Sequence, residues 1–590
     1  MLDLCVTYSL LDTLRGRVCR TENGHDATTR CAFSPASLIG FHVHLPRMLA
    51  VSDARIVLRP EGEAPCLSLR LAFCGCRGAA EEYAALLEGD RVAMRGPLFF
   101  YRIELCTVFG RVFALPAPDG MLTFAPQNEQ SAAAADLSLI LAFDDDPLPP
   151  GADGIWYEAP AAAFPTDEKG ASRAFATLRQ MGVRSVFLCP PSVSAAYADG
   201  ERRAPDTEML LPPVVARAAA GQGIALLSDF LMAAGAREDG HMVQENGRAS
   251  FLPAPCIPSA GVRENPAAEG AWYTEAEGRS SVPCCAYFCG ENGVLPRYIA
   301  AGASGFFLRA ADCFDDAFFA ALRACLNSCT ENGVLVGAVA QDGRCVSRGL
   351  RKRPLYGGEL DSLRSRTLRG ALLACLCHAD TAPLLHFLLG TLAEMPPRAL
   401  RLGTHALSDY ETGAFYDAVR QASCPTDGEE ILWARTEAAY LIAATLPGVP
   451  AWSSFEVGCR FFGADAEGDA ASPLRWRADG TEEERGRAFF ARLARLRQRE
   501  AVYRGGTFRL CHLGGDSLVF AREREGESLL TIVNLQSAPL RIRGQEGFCV
   551  VFGGRGYKTE FVLRPQGACV LKVGRWPGEE CHLHLETVHT

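Results

Sequence analysis

Residues 298–340 read YIAAGASGFFLRAADCFDDAFFAALRACLNSCTENGVLVGAVA, and their grammar decides the fold. A short apolar run ending at Leu308 is followed by an amphipathic helix pattern over 316–328 and a second apolar run over 333–340. Apolar runs of this kind, separated by helices, indicate parallel strands buried on both faces. The first run ends in Arg309, with small residues after it. An arginine closing a buried strand needs a partner or a purpose, because its charge is permanent.

The alternation extends outward in both directions. Upstream lie a strand candidate, DLSLILAF (136–143), and an amphipathic helix, ASRAFATLRQMG (171–182), with Gly182 placed as its C-terminal cap. A buried strand, VRSVFLCPP (183–191), follows, then a helix over 212–223 and a strand, IALLSDF (224–230). Downstream, the helix EERGRAFFARLARLRQREA (483–501) closes the pattern. Repeated β–α units over 136–505 predict a (β/α)8 TIM barrel. The stretch over 371–395 is broken by His378, Asp380, Pro383 and His386, so it reads as two core helices and not as a membrane span. Residues 1–135 carry short alternating runs such as ARIVLRP (54–60) and FFYRIELCT (99–107), which predict an N-terminal β-sandwich. Alternation returns in SLVFARE (517–523) and SLLTIVNLQ (528–536), placing a C-terminal β-sandwich at 506–575 and leaving 576–590 as a tail. The tail's spaced histidines are expected in a frayed end.

Composition narrows the function classes. The net charge is −10, and no basic cluster marks a nucleic-acid footprint. Lysine occurs only at 169, 352, 558 and 572, so arginine supplies almost all the positive charge. The first residues lack the basic and apolar segments of a signal peptide, so a cytoplasmic location is expected, with no membrane partner. The 24 cysteines then read as reduced, buried hydrophobes. None has zinc-site spacing, so no metal and no cofactor is expected.

Several stretches together resemble the α-amylase superfamily of glycoside hydrolases. GVRSVFLCPPSVSAAYADGERRAPDTE (182–208) resembles that family's third-strand segment, LPGVPAWSSFEVGCRFFG (446–463) its segment near the end of the barrel, and FFARLARLRQREAVYRGGTFR (489–509) its last barrel helix. The N-terminal sandwich points to the neopullulanase, cyclomaltodextrinase and maltogenic-amylase branch. The resemblance implies an α-glucan or maltooligosaccharide ligand, a small insertion after the third strand, and either a homodimer or pairing with an active relative.

The resemblance also assigns the catalytic positions, and here the sequence departs from the family. In ALLSDFLMAAG (225–235), Ser228 stands for an aspartate. In GASGFFLRAADC (302–313), Arg309 stands at the nucleophile and Phe307 at a conserved arginine. In GAVA (337–340), Ala338 stands at the general acid, and in LGTHA (402–406), Ala406 stands at the transition-state-stabilising aspartate beside a retained His405. Retaining hydrolysis needs two carboxyl groups about 5–5.5 Å apart. A cation about 4 Å from an oxocarbenium-like centre would oppose it by about 4 kcal/mol at an effective dielectric near 20, roughly a thousandfold in rate. The resemblance therefore implies a catalytically inactive pseudoenzyme. The alternative is an active α-glucan hydrolase or transglycosylase with relocated acids, for which Asp229 and Asp312 are the nearest candidates. Arg309 would then either pair with Asp312 or hold an anion.

Candidate binding residues follow from the same mapping. Asp206 matches a cleft-shaping segment, and Glu456 a carboxylate that supports the barrel. Trp156, Tyr157, Trp272 and Trp452 fall on strand ends or loops, where rings either stack on sugars or pack. His405 either bonds a sugar hydroxyl or is a satisfied structural histidine.

Overall fold

The computed structural model describes residues 7–12, 17–21, 30–33, 38–60, 65, 67–94, 98–116, 122–128, 139–143, 154–160, 163–189, 211–230, 243–245, 248–250, 288–291, 293–308, 311, 316–339, 360–388, 397–409, 412–454, 481–524, 526–573 and 583–588. Arg309, Asp206, Trp272, Asp312 and Glu456 lie outside them. The chain divides into two compact units. One comprises Met1–Pro147, Gly343–Asp361 and His386–Leu400; the other comprises Leu148–Asp342, Ser362–Leu385 and Arg401–Thr590.

The first unit contains a five-stranded and a seven-stranded sheet. Strand Leu38–Pro46 shows why they form a sandwich. Ile39, Phe41, Val43 and Leu45 are buried while the residues between them include His42 and His44, and the buried set joins Ile56, Phe99, Tyr101 and Ile103 in one core. Strand Leu139–Phe143 also belongs here. It pairs antiparallel with Leu98–Thr107 and parallel with Arg30–Phe33. The expected boundary at 135 is therefore too early, because the segment read as the start of the barrel completes a sandwich sheet.

The second unit holds a closed barrel of eight parallel strands in chain order. They are Ile155–Pro160, Val183–Cys189, Ala225–Phe230, Gly305–Leu308, Val334–Val339, Ser362–Ser365, Thr404–Ala406 and Val449–Ser453. The expected TIM barrel is present, with one correction of count. The segment matched to a third strand is the second strand, and residues 190–212, the stretch read as a reduced insertion, separate it from helix Pro213–Gly221.

The barrel helices follow local rules. Helix Glu168–Gln180 starts at Asp167, whose carboxylate accepts the Gly170 amide at 2.8 Å. Its buried face is Ala171, Ala174, Phe175 and Leu178, the spacing of one helical stripe. Gly182, at φ 81°, closes it as the sequence predicts. Helix Glu429–Thr445 is different: twelve of its residues are buried, from Leu432 to Thr445. It packs between barrel strands on one side and strands Glu527–Asn534 and Ala568–Val573 on the other. Arg522, 2% exposed, donates to Thr445 O (2.9 Å), Val502 O (3.3 Å) and Gly506 O (2.9 Å), tying the C-terminal sheet to the end of this helix.

The C-terminal region is a seven-stranded antiparallel sheet around Val519, Leu530, Ile532, Ile542, Val550 and Leu571. Strand Leu583–Thr587 pairs with Leu540–Gly544. The tail expected to fray is therefore partly a sheet strand, and His584 sits opposite Arg543 in its register. Among the described residues, no helix is long and apolar enough to cross a membrane, and no group of three or more His, Cys, Asp or Glu is arranged to hold a metal ion.

Candidate functional site at the barrel mouth

Strand phase decides which side chains enter the barrel. Trp156, Phe187, Leu227, Phe307, Val336, Ala406 and Ala451 share the barrel's core, and Ala338 packs against it. Alternate residues on each strand point the same way. Ala338 therefore ends the inward row of the fifth strand, and Ala406 that of the seventh. Both occupy the inward phase of their strands.

Ser228 does not. Leu227 pairs in register with Phe187 and Gly305, while Ser228 pairs with Leu188 and Phe306. Ser228 is thus one residue out of phase with the inward row, and it is buried behind it. The Cα of Asp229 pairs with Phe307, on the inward phase. Ser228, mapped to a family aspartate, therefore lies on the other face of its strand from Leu227, because one residue along a strand exchanges its two faces.

The mouth contains charges that the sequence reading did not single out. Arg364 pairs in register with Ala338 on one side and Thr404 on the other. It is 5% exposed, and its Nη1 lies 2.6 Å from Glu158 Oε2 on the first strand, itself 1% exposed. Its Nη2 lies 3.4 Å from Asp409 Oδ2 and donates to Ser408 O at 3.3 Å. The guanidinium carbon sits 5.3 Å from the ring centre of Phe307. One cation therefore joins the first and sixth strands, the loop after the seventh, and the aromatic ring of the fourth.

Asp409 is held from several sides. Its Oδ1 accepts the Thr412 amide at 2.6 Å and the Thr412 hydroxyl at 2.8 Å, and Arg366 Nε lies 3.8 Å from Oδ2. Burial pushes its pKa up, but Arg364, Arg366 and the two Thr412 donors outweigh that and hold it below the ordinary value. The loop itself is fixed by Ser408, whose hydroxyl accepts the Phe415 amide at 2.8 Å and meets the Tyr440 hydroxyl at 3.0 Å. Arg369 donates to Leu407 O at 2.8 Å and Thr412 O at 3.2 Å.

Three of the four aromatic candidates are core residues. Trp156, Tyr157 and Trp452 are at most 1% exposed. Trp156 packs edge-on to Phe187 inside the barrel, and Trp452 packs edge-on to Phe490 of helix Thr481–Arg499. A sugar platform needs an open ring face, which these three lack. His405 is likewise structural. It lies one residue off the inward phase, is 7% exposed, and its Nε2 is 2.5 Å from Pro447 O. Burial, with Arg497 and Arg522 adding to it against the Pro447 hydrogen bond, lowers its pKa to about 4. Gly448 explains the fit. It adopts φ 117°, and a Cβ there would stand 2.6 Å from both Gly403 O and His405 Nε2.

Glu158 had a visible signal: it is the one acid in the apolar strand IWYEAP (155–160). Arg364 had the matching one, a lone cation in the sixth strand, SLRS (362–365). Complementary buried charges on two barrel strands point to each other.

No family model and no curated protein matches the sequence. Solved structures do match the fold. The chain is similar to the type III pullulan hydrolase from Thermococcus kodakarensis, with a TM-score of 0.53 and 15% identity over 92% of this chain and 99% of that one. It is similar to the maltogenic amylase from S. marinus, with a TM-score of 0.55 and 13% identity over 92% of this chain and 81% of that one. A cyclomaltodextrinase gives a TM-score of 0.52 and 14% identity over 96% and 99%. These likenesses show the fold: the chain shares its barrel and flanking β-domains with a pullulan hydrolase, a maltogenic amylase and a cyclomaltodextrinase.

Proposed function

We propose that this chain is a non-catalytic protein of α-glucan metabolism, retaining the barrel scaffold for maltooligosaccharide binding or for pairing with an active relative. The observation that carries the reading is the pair Ala338 and Ala406, both on the inward phase at the strand ends where the resembled family keeps its general acid and stabilising aspartate. Neither side chain has an atom that can exchange a proton or carry a charge. The inward row beside Ala338 is taken by Arg364, a fixed cation already engaged with Glu158 and Asp409. Twelve cysteines among the described residues are in no disulfide, which fits the reducing, cytoplasmic setting of this reading.

The second reading is an active hydrolase with relocated acids. Glu158 and Asp409 favour it in one respect, because two carboxylates bind one guanidinium at the mouth. Their chemistry argues against it. A general acid must hold a proton at working pH, whereas Asp409 is kept ionised by two arginines and Thr412. Glu158 is buried against Arg364.

The test pairs two assays on the purified chain. Starch, pullulan, maltooligosaccharides and cyclodextrins should all be left intact, while calorimetry with maltooligosaccharides should show binding. Turnover that disappears in Glu158→Gln or Asp229→Asn would overturn the first reading and establish the second. Absence of both binding and turnover would leave the partner role alone.

A further inference from the structure

We propose that one end of the N-terminal sandwich docks this chain on an anionic lipid surface. Three turns meet at that end. Residues 47–52 join strands Leu38–Pro46 and Asp53–Pro60, residues 78–79 join Ala72–Arg77 to Ala80–Glu88, and residues 108–109 join Leu98–Thr107 to Gly110–Pro116. Backbone bonds hold the turns side by side. The Arg47 amide donates to Ala79 O at 3.0 Å, and the Val108 amide donates to Leu49 O at 3.1 Å.

The side chains at these tips break the usual chemistry of turns. Turn centres favour Gly, Asn, Asp and Ser, yet residues 107–110 read TVFG, and Val108 and Phe109 are 64% and 60% exposed. Met48, in the neighbouring turn, is 55% exposed. The tips are held firmly by their own residues. The Thr107 hydroxyl donates to Gly110 O at 3.0 Å and accepts the Phe109 amide at 3.1 Å. Leu49 anchors its turn in the sandwich core while Met48 beside it stays exposed.

The charge around the tips selects the surface. Residues 47–52, 78–79 and 108–109 include no acid. Arg47 and Arg111 are exposed, and Arg77 is the last residue of its strand at the same end. The carboxylates next to these turns are engaged: Asp53 with Arg55 and Arg70, Glu81 with the Tyr83 hydroxyl, and Glu82 with His42. A chain of net charge −10 therefore presents one end that is cationic and apolar. Apolar side chains that enter the headgroup boundary, flanked by arginines, are what a peripheral protein needs to hold an anionic bilayer. A protein partner fits less well. Three side chains on separate tips offer a few hundred Å² at most, whereas a stable protein interface takes roughly 800 Å² from each partner. A fluid bilayer accepts separate tips without a complementary shape. Such a contact needs no spanning helix, so it revises the expectation of no membrane partner and does not depend on the glucan reading.

The test is co-sedimentation of the full chain with vesicles of phosphatidylcholine alone and of phosphatidylcholine with phosphatidylglycerol. The expected result is binding to the anionic vesicles that weakens as salt is raised. Arg47→Gln combined with Arg111→Gln should lower that binding about thirtyfold, the combined effect of two arginines at an anionic surface. Val108→Ser combined with Phe109→Ser should lower it about tenfold or more. Leu86→Ser is the control. Leu86 is 62% exposed but pairs with Gly40, six positions along its strand from Ala80, and its variant should bind as the parent does. Circular dichroism melts check that each variant is folded. No binding to the anionic vesicles at low salt, undiminished binding by either double variant, or a dimer that Val108→Ser with Phe109→Ser dissolves would overturn the assignment.

Discussion

Replacing Arg364 by methionine gives the sharpest test of what holds the barrel mouth together. The methionine keeps most of the apolar stem over Phe307 and removes the charge. Two carboxylates then lose a partner in unequal measure. Asp409 keeps Arg366 and both Thr412 donors. Glu158 loses a contact at 2.6 Å while only 1% exposed. Removing one partner of a buried ion pair costs about 3–5 kcal/mol, because the other charge stays buried without compensation. The expected loss is about 3–4 kcal/mol, most of it at Glu158. It is read from urea unfolding followed by tryptophan fluorescence, to which the buried Trp156 contributes. The same reasoning says that the loss belongs to the buried carboxylate that gives up this contact and not to the missing cation. Arg364→Met combined with Glu158→Leu should therefore recover at least half of it. A single variant within about 0.5 kcal/mol of the parent, or a double variant less stable than the single, would refute the account.

The other expectations concern separate sites. With a folded pKa of about 4 against an ordinary 6.5, His405 takes up its proton later than the unfolded chain does. Its contribution is complete above about pH 6.5 and is lost as pH falls toward 4, by about 3 kcal/mol across that window. His405→Gln, which keeps a donor for Pro447 O, should flatten the stability–pH curve there, and an unchanged slope would contradict this. Asp167→Ala removes the cap on the Gly170 amide and should cost about 1 kcal/mol in a denaturation midpoint, with no effect on ligand binding. Gly448→Ala forces a Cβ against Gly403 O at φ 117°, and should lower the melting temperature by the equivalent of about 1–3 kcal/mol.

The barrel was legible because the apolar runs and their intervening helices each obey a local period. What the sequence hides is which neighbour a strand takes. LILAF (139–143) looks the same whether it opens a barrel or completes a sandwich sheet, and only its pairing with Leu98–Thr107 decides. The tail sequence LHLET (583–587) alternates as a strand should, but it needs Leu540–Gly544 to pair with. At the site, Ala338 and Ala406 lie on the inward phase of their strands, whereas Ser228 lies one residue off it. A motif match tolerates that difference and a pleat does not. The Arg364 cluster was missed because its members lie on three different segments, and long-range charge pairing leaves no periodic trace.

The all-round burial of helix Glu429–Thr445 bears on how this chain can be cut or recombined. A helix with one apolar stripe can exchange its covering layer, but one enclosed on every side belongs equally to both layers. Removing residues after 506 would expose the face that meets strands Glu527–Asn534 and Ala568–Val573, and would take away the Arg522 donors at Thr445. The barrel and the C-terminal sheet are therefore a single heritable block. Gene fusions and circular permutations should be tolerated outside that block and lethal to folding at the junction near residue 506.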